Sequence, residues 1–521
     1  MDRGGIPLKM IMELLGREGI ERRGYQLWVI GTILQAMNEG KNIILELDAG
    51  MGKRVISYIL CRILPKEKIL IVTPSRASVS DMALFFKDKS GSDEWFGTII
   101  GGMPRRFKTW IVRNRRVVIS TPISLMHALE KEPQLCRDIS VVIINEVDKV
   151  LRRVPRDSPY GRQSSAGCGV LFKLDPEHVL VHPWGKLRLI LPSRACWIGM
   201  SGTLRDQHYI LTSEGVHSRD ELRTVVEALF PKKPVVIITM DMLIERTDAM
   251  SYVLRNITLI RPLPIHDEKV KIIVDCISRE LDEVTEKIRE RYCRLYVEDA
   301  IPARVREKIH RTISLLPNNN PLRVKFLRLA LARRHILANT PDVYRKFLAK
   351  PMFRRIIMKY SGMDLRDVLP NESSKLDKIV EIVERWVNMN QSIVVVLSFV
   401  KTAIALWTKL KNKQVPNVHI LTGRTYNKRA VIESFKKKKP SVLILTPVAE
   451  RDLDFPEASL VIIHDIISTV KSMYQRIKRA RRSTVVITYY SNTYEEKKVK
   501  ILLSRMIRRY PWSIRIGRGD L

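Results

Sequence analysis

Residues 42–60 read NIILELDAGMGKRVISYIL. An apolar run (42–47) passes through a glycine-rich turn into a lysine and then into a helix-compatible stretch. Gly50, Met51 and Gly52 form a turn whose backbone N–H groups can approach phosphate oxygens. The helix N-terminus adds a favourable dipole there, and Lys53 can reach terminal phosphates. A plain βα turn that happens to contain GxGK is the competing account, and the strand–turn–helix context speaks against it. One position departs from a phosphate loop of this kind. A Ser or Thr hydroxyl after the lysine would hold Mg²⁺, whereas here the residue is Arg54, which ligates no cation. Ser57 stands a helical turn further on, too far to replace it simply.

Outward from this stretch the same texture repeats. NIILEL (42–47), KILIVTP (68–74), RVVISTP (116–122), SVVIINE (140–146) and CWIGMSGT (196–203) are near-continuous apolar runs bounded by polar turns. That is the signature of strands buried on both faces of a parallel sheet. The pattern returns in SIVVVLSF (392–399), NVHILTG (417–423), SVLILTP (441–447), SLVIIHD (459–465) and STVVITYY (483–490). The fold class is α/β with two tandem parallel-sheet lobes. Between them, residues 263–370 hold charged, helix-periodic runs and read as a helical insert. The expected division is 1–215 for the first lobe, 216–262 for its end and a linker, 263–370 for the insert, and 371–521 for the second lobe. Residues 152–194 read as irregular.

Lys and Arg number 91 against 55 Asp and Glu, so the net charge is 91 − 55 = +36 over 521 residues. An excess this large points to a polyanionic partner, most simply nucleic acid. With 45% hydrophobic residues the chain is not a disordered one. Its apolar runs are far shorter than the ~18 residues of a membrane span, and MDRGGIPLKM lacks a signal-peptide pattern. The six cysteines are scattered without a CxxC pair, which argues against a zinc or disulfide framework and fits a reducing, intracellular setting. The histidines show no metal-ligand spacing.

The fourth run ends VVIINEVD (141–148). A carboxylate pair at the end of a parallel strand beside a phosphate loop would bind Mg²⁺ and activate water. Glu146 stands where the water-activating group belongs. The position before it, which would carry the metal-linked Asp, is Asn145, a neutral and weaker ligand. The competing account is an ordinary strand end with a solvated acidic turn. Both protein groups expected to anchor the ion are changed, and weakened or absent hydrolysis is expected.

In this order the elements resemble those of a superfamily 2 helicase. ERRGYQ (21–26) resembles the adenine-sensing element that precedes the phosphate loop. DAGMGKR resembles motif I, TPSR (73–76) motif Ia, GG (101–102) motif Ib, NEVD the DExD/H box and MSGT (200–203) motif III. In the second lobe, TPVAERDLDFPEASLVI (446–462) resembles motif V and YQRIKRARR (474–482) motif VI. The helical insert, the D-x-P spacing of motif V and the segment DIISTVKSMYQRIKRARR resemble the helicase part of archaeal Hef and its relative, the Fanconi anaemia group M helicase. A nuclease part like that of Hef is not expected from the motifs present.

The resemblance implies two RecA-like domains that close on ATP. It assigns nucleotide contacts to Tyr25, Gln26, Gly50, Met51, Gly52, Lys53, Arg54 and Asp454, and coupling to Ser201 and Thr203. It assigns catalysis to Glu146, Gln475, Arg479 and Arg482, the two arginines stabilising charge on the transferring phosphoryl group. Mg²⁺ use is in question, because Asn145 and Arg54 occupy the metal positions. Motif V has Asp452, and motif VI has Lys478 and Arg481, where the family has glycine.

The resemblance also places a nucleic-acid strand across both lobes, held through its phosphates by Arg76, Gly102, Thr121, Ser398, Thr422, Gly423 and Thr446. Forked or single-stranded DNA is the expected partner, in a DNA-repair setting. The insert adds Arg333–Arg334 and Arg354–Arg355, and KKKK (436–439) reads as a surface turn. Tyr510 and Trp512 in the tail are suited either to base stacking or to packing at a helix end. Two functions follow: an ATP-dependent translocase on branched DNA, or a catalytically impaired scaffold that binds DNA and a nuclease or helicase partner.

Overall fold

The computed structural model describes residues 8–151, 170–172, 180–212, 215–230, 233–292, 316–446, 458–466, 470–479 and 483–517. The chain divides into two compact units, the main boundary lying between Val253 and Leu254.

Among the described residues, the first unit carries ten strands: β1 (Asn42–Glu46), β2 (Lys68–Val72), β3 (Phe96–Ile99), β4 (Val117–Ser120), β5 (Ile139–Asn145), β6 (Val170–Phe172), β7 (Cys196–Ser201), β8 (Gln207–Thr212), β9 (Gly215–Asp220) and β10 (Val235–Ile238). Seven form a parallel sheet in the order β10-β1-β7-β5-β2-β4-β3, and β6-β8-β9 form a small separate sheet. Every residue of β1 and of β4 is buried, because helices cover both faces. The five apolar runs read from the sequence supply β1, β2, β4, β5 and β7. The two edge strands, β3 and β10, escaped that reading because each is only four residues long and mostly half-buried, and Gly97 and Thr98 interrupt the apolar run of β3. Residues His182–Ile190 form a helix inside the stretch expected to be irregular.

The second unit has β11 (Thr258–Ile265), β12 (Ile393–Val396), β13 (Val418–Leu421), β14 (Val442–Leu445), β15 (Leu460–Ile463), β16 (Thr484–Tyr490) and β17 (Ile514–Ile516). They form one parallel sheet in the order β13-β14-β12-β15-β16-β11-β17. β11 contains Pro262 and Pro264, which argue against a central strand. It tolerates them because β17 pairs only with Thr258–Ile260, so among the described residues no strand pairs with that side of β11 beyond Ile260.

The described residues between β11 and β12 are mostly helical and belong to this unit. Val270, Ile273, Ile277, Leu281, Val284 and Ile288 recur at helical spacing along Glu268–Tyr292. They share a core with Phe326, Leu329, Ala332 and Ile336 of Pro321–Ala338. Helices Pro321–Ala338, Pro341–Leu348 and Pro351–Ser361 each open on a proline, where the missing N–H costs nothing. No helix among the described residues is long and apolar enough to cross a membrane.

Candidate nucleotide and nucleic-acid site

Strand order concentrates the motifs. β7 lies between β1 and β5, with Glu46 beside Ser201 and Asn145 beside Met200. The turns leaving β1, β5 and β7 therefore share one carboxyl edge, the position at which parallel sheets bind ligands. Gly50 and Gly52 both take φ of +85°, a left-handed conformation that glycine adopts freely. A side chain at position 52 would also meet Gln26 Nε2 at 2.2 Å. Gly52 caps helix Lys53–Ile63, so the loop delivers the helix N-terminus to the site. The Lys53 ammonium donates to the Leu47 carbonyl at 2.8 Å. Gly202 closes over it, since a Cβ there would lie 3.2 Å from Lys53 Nζ and 3.1 Å from Leu47 O.

Tyr25 and Gln26 are buried and bound to the loop itself. Tyr25 Oη donates to Met51 O at 2.7 Å, and Gln26 Nε2 donates to the same oxygen at 3.2 Å. Their helix, Gly24–Asn38, is held at its N-terminus by Asp248, which accepts from Tyr25 N at 2.6 Å and Gly24 N at 3.1 Å. Tyr252 packs edge-on to Tyr25, with Arg23 over its ring. Sequence reading did not find Asp248, which lies 224 residues from Gly24 and belongs to no motif.

The metal positions can be tested against Mg²⁺. Arg54 is exposed, and its guanidinium lies 4.5 Å from the centroid of Phe85, stacked on a neighbouring helix. Ser57 is fully buried and donates to Lys53 O, so its hydroxyl is unavailable. Asn145 ends β5 with its Oδ1 buried and unpartnered, while its Nδ2 faces Met82 Sδ at 3.8 Å. Glu146 has φ of 57°, an uncommon conformation for a non-glycine residue, and its carboxylate lies 3.9 Å from Lys149. Asp148 accepts from Ser201 Oγ at 2.5 Å, and Thr203 N donates to the same hydroxyl at 3.2 Å. Among the described residues no three His, Cys, Asp or Glu side chains are grouped to hold a metal. One neutral amide oxygen is a poor donor set for a hard divalent cation, and these residues do not fit a firmly held Mg²⁺.

On the same unit, Arg76 opens the helix after β2, capped by Ser75. A Cβ on Gly101 would lie 2.3 Å from Arg76 Nη2, so Arg76 lies beside the Gly101–Gly102 turn that holds the second expected phosphate contact, Gly102. Gly102 is exposed with φ of +91°. Thr121 is buried, and its hydroxyl donates to Ser124.

In the second unit Ser398 is fully engaged. Its N–H donates to Asp465 Oδ1 at 2.7 Å, and its hydroxyl donates to Asp465 Oδ2. Burial pushes the Asp465 carboxyl up. Hydrogen bonds from His464 and Ser398 outweigh that effect and hold it at about 2. The Thr422 hydroxyl accepts from Arg424 N in the turn that contains Gly423, and Thr446 is buried with its hydroxyl unpartnered. Gln475 lies half-buried on helix Val470–Arg479. Lys478 on that helix is buried and donates to Asn256 O at 2.8 Å. Asp454 and Arg482 lie outside the described residues, as does the side chain of Arg479.

The tail takes the packing alternative. Tyr510 is buried and stacks on Tyr474 with ring centroids 3.6 Å apart, and Trp512 is buried beside it. In the insert, Arg333 packs 3.6 Å over Tyr494, whereas Arg354 and Arg355 are exposed. Lys436–Lys439 are exposed where a helix turns toward β14.

Residues 24–160 match the DEAD/DEAH box helicase family, and residues 374–484 match the helicase conserved C-terminal domain. The chain carries helicase superfamily 2 domains and is helicase-like. It is similar to the pre-mRNA-splicing ATP-dependent RNA helicase prp28 of Neosartorya fischeri, 23% identical over 265 residues that make up 46% of this chain and 32% of that protein. Pre-mRNA-processing ATP-dependent RNA helicase PRP5 of Saccharomyces cerevisiae is 34% identical over 104 residues, 19% of this chain and 12% of that one. The matches thus span a third or less of these relatives' length.

Among solved structures, the Pyrococcus furiosus Hef helicase domain superposes with a TM-score of 0.58 at 17% identity, covering 94% of this chain and 99% of that one. S. cerevisiae Dbp5 bound to RNA and ADP BeF3 superposes with a TM-score of 0.53 at 13% identity, covering 97% and 93%. At these identities the likeness is one of fold: two tandem RecA-like domains.

Proposed function

We propose that this protein grips single-stranded segments of nucleic acid under the control of ATP, and that it hydrolyses ATP slowly. The observation that carries the reading is the phosphate loop. Gly50 and Gly52 are left-handed, Lys53 stands at the mouth, and a helix N-terminus opens behind them. Triphosphate oxygens would displace the Leu47 carbonyl as the partner of Lys53 and take up the loop N–H groups. Glu146 would orient the attacking water, and Arg479 and Arg482 would neutralise developing charge. The same donors without a firmly held cation give binding more readily than turnover.

Forked or branched DNA as the substrate rests on the resemblance of the sequence motifs and insert to those of Hef. The relatives named as RNA helicases support RNA. A grip made on phosphates and short hydroxyl groups serves either, and the +36 charge supports both. The doubly altered metal position also favours a second reading, a helicase-fold scaffold that binds nucleic acid and a nuclease or helicase partner without turnover.

The test is ATP hydrolysis with and without forked DNA and single-stranded RNA, beside Lys53→Ala, together with binding across a salt series. Salt-sensitive binding with slow, Lys53-dependent hydrolysis supports the first reading. Binding without nucleotide occupancy supports the scaffold. Affinity that stays flat between low and moderate salt would overturn both.

A further inference from the structure

Helix Arg105–Asn114, which follows Gly101–Gly102, carries two aromatic side chains that the core does not use. Its inner face buries Lys108, Ile111 and Val112. The helix is pinned against β3, since a Cβ at Gly97 would lie 2.6 Å from Ile111 Cγ2 and 2.9 Å from Arg115 Cγ. On the outer face Phe107 is 51% exposed and Trp110 46% exposed. Their rings lie 5.9 Å apart and within 7° of parallel, and Arg115 sits 5.4 Å from the Trp110 centroid. Two large rings held side by side in water, on a helix packed closely against β3, leave apolar surface without a partner.

The setting selects the class of partner. Arg106 is exposed on the same helix, and Arg76 touches Gly101 just before it. Arg105 and Arg113 share Glu132 at 3.7 and 3.6 Å, so part of the local positive charge is already matched while Arg76 and Arg106 stay available to a ligand. An apolar peptide would leave those cations unmatched. A polyanion that also carries flat apolar faces matches both features, and single-stranded nucleic acid is such a polymer.

We infer that Phe107 and Trp110 form a shelf on which bases of a single strand stack, while its phosphates pass Arg76 and Gly102. The inference rests on the proposed nucleic-acid grip and deepens it, because it adds base contacts to a track otherwise made on phosphates. Stacking is tolerant of sequence, since every base has a π-face, and it contributes affinity on the order of tenfold per stacked base. The cation beside Trp110 strengthens the platform.

The full-length protein is titrated at one salt concentration with a labelled single-stranded thymidine oligonucleotide and with an abasic oligonucleotide of the same length. The wild type is expected to bind the base-bearing strand at least tenfold more tightly. In Phe107→Leu/Trp110→Leu, which keeps apolar bulk without a π-face, that ratio is expected to fall toward one while the abasic affinity stays unchanged. Arg76→Gln is expected to weaken both strands equally. Phe107→Tyr/Trp110→Phe serves as the folding control and should keep the ratio. A leucine variant that is folded by its melting curve and keeps the wild-type ratio overturns the shelf. So does a wild type that binds both strands alike. Failure of the wild type to bind either strand overturns the nucleic-acid reading itself.

Discussion

The hydroxyl of Ser201 donates to the buried carboxylate of Asp148 at 2.5 Å. Asp148 closes the NEVD turn after β5, and Ser201 ends β7, the next strand in the sheet. The bond therefore joins the turn that carries Glu146 to the turn that carries Gly202, which covers Lys53. The two turns are thus joined by a short, water-excluded contact, where hydrogen bonds are stronger than in solvent.

Ser201→Ala should lower stability by about 1–3 kcal/mol, because it deprives a buried carboxylate of a donor. Asp148→Asn should cost less than the serine change, and the two should be non-additive because they share one bond. Urea denaturation of the three variants reads this directly. Additive losses would mean that the contact carries no coupling.

The sheets and the phosphate loop were legible because their signals are local: apolar runs for strands buried on both faces, and glycines at fixed offsets before a lysine. The same holds for Asn145 and Arg54, where a motif was met by the wrong side chain. Contacts that close over long sequence distances were not legible. Asp248 holding the Gly24–Asn38 helix, Asp465 occupying Ser398, and Tyr474 under Tyr510 have no periodicity of their own. They follow from strand order, which β3, β10 and β11 made hard to read. Ser398 shows the consequence, since a residue assigned to nucleic acid has its hydroxyl and N–H already committed to Asp465.

That commitment has a pH signature. Asp465 has its carboxyl held at about 2, below the ordinary 3.8. A depressed carboxylate contributes stability that is present above its unfolded pKa and is lost as pH falls through the folded one. Burial also lowers His464, which acts in the same direction as the pH drops below its ordinary 6.5. Asp465→Asn should cost roughly 2 kcal/mol at pH 7. The gap to wild type should narrow between about pH 4 and pH 2. Denaturant midpoints measured across that range check it, and a gap independent of pH would contradict the assignment.

The stacked pair Tyr474 and Tyr510 ties the Val470–Arg479 helix to the end of the chain, with Tyr474 Oη donating to Ser513 Oγ at 2.9 Å. Tyr510→Ala should destabilise the second unit by about 3–5 kcal/mol, as for other large aromatic truncations in cores. Tyr510→Phe should be far milder. Nucleic-acid affinity of the folded phenylalanine variant should equal that of wild type, because a buried ring is not available for base stacking. Loss of affinity in that variant would restore a recognition role to the tail.

The metal position gives the most direct functional test. Lys53 and Glu146 are present in the first unit, while the hydroxyl and carboxylate that would anchor a cation are Arg54 and Asn145. Arg54 stacks on Phe85 outside the loop, and Asn145 Oδ1 is buried without a partner. Asn145→Asp turns that orphaned oxygen into a carboxylate, which is unfavourable in burial unless a cation neutralises it. Arg54→Thr removes a nearby positive charge and supplies the hydroxyl. The wild type should bind ATP with little dependence on Mg²⁺. The double variant should acquire that dependence, and each single variant should show little of it, because both groups serve one ion. Hydrolysis should rise with the restored site, each ~1.4 kcal/mol recovered in the transition state being about tenfold in rate. Calorimetry with and without Mg²⁺ measures the first effect, and phosphate release measures the second. A wild type that already binds ATP only with Mg²⁺ and turns over in the ordinary helicase range would refute the argument. It would mean that the substrate's own phosphates hold the cation without help from these two positions.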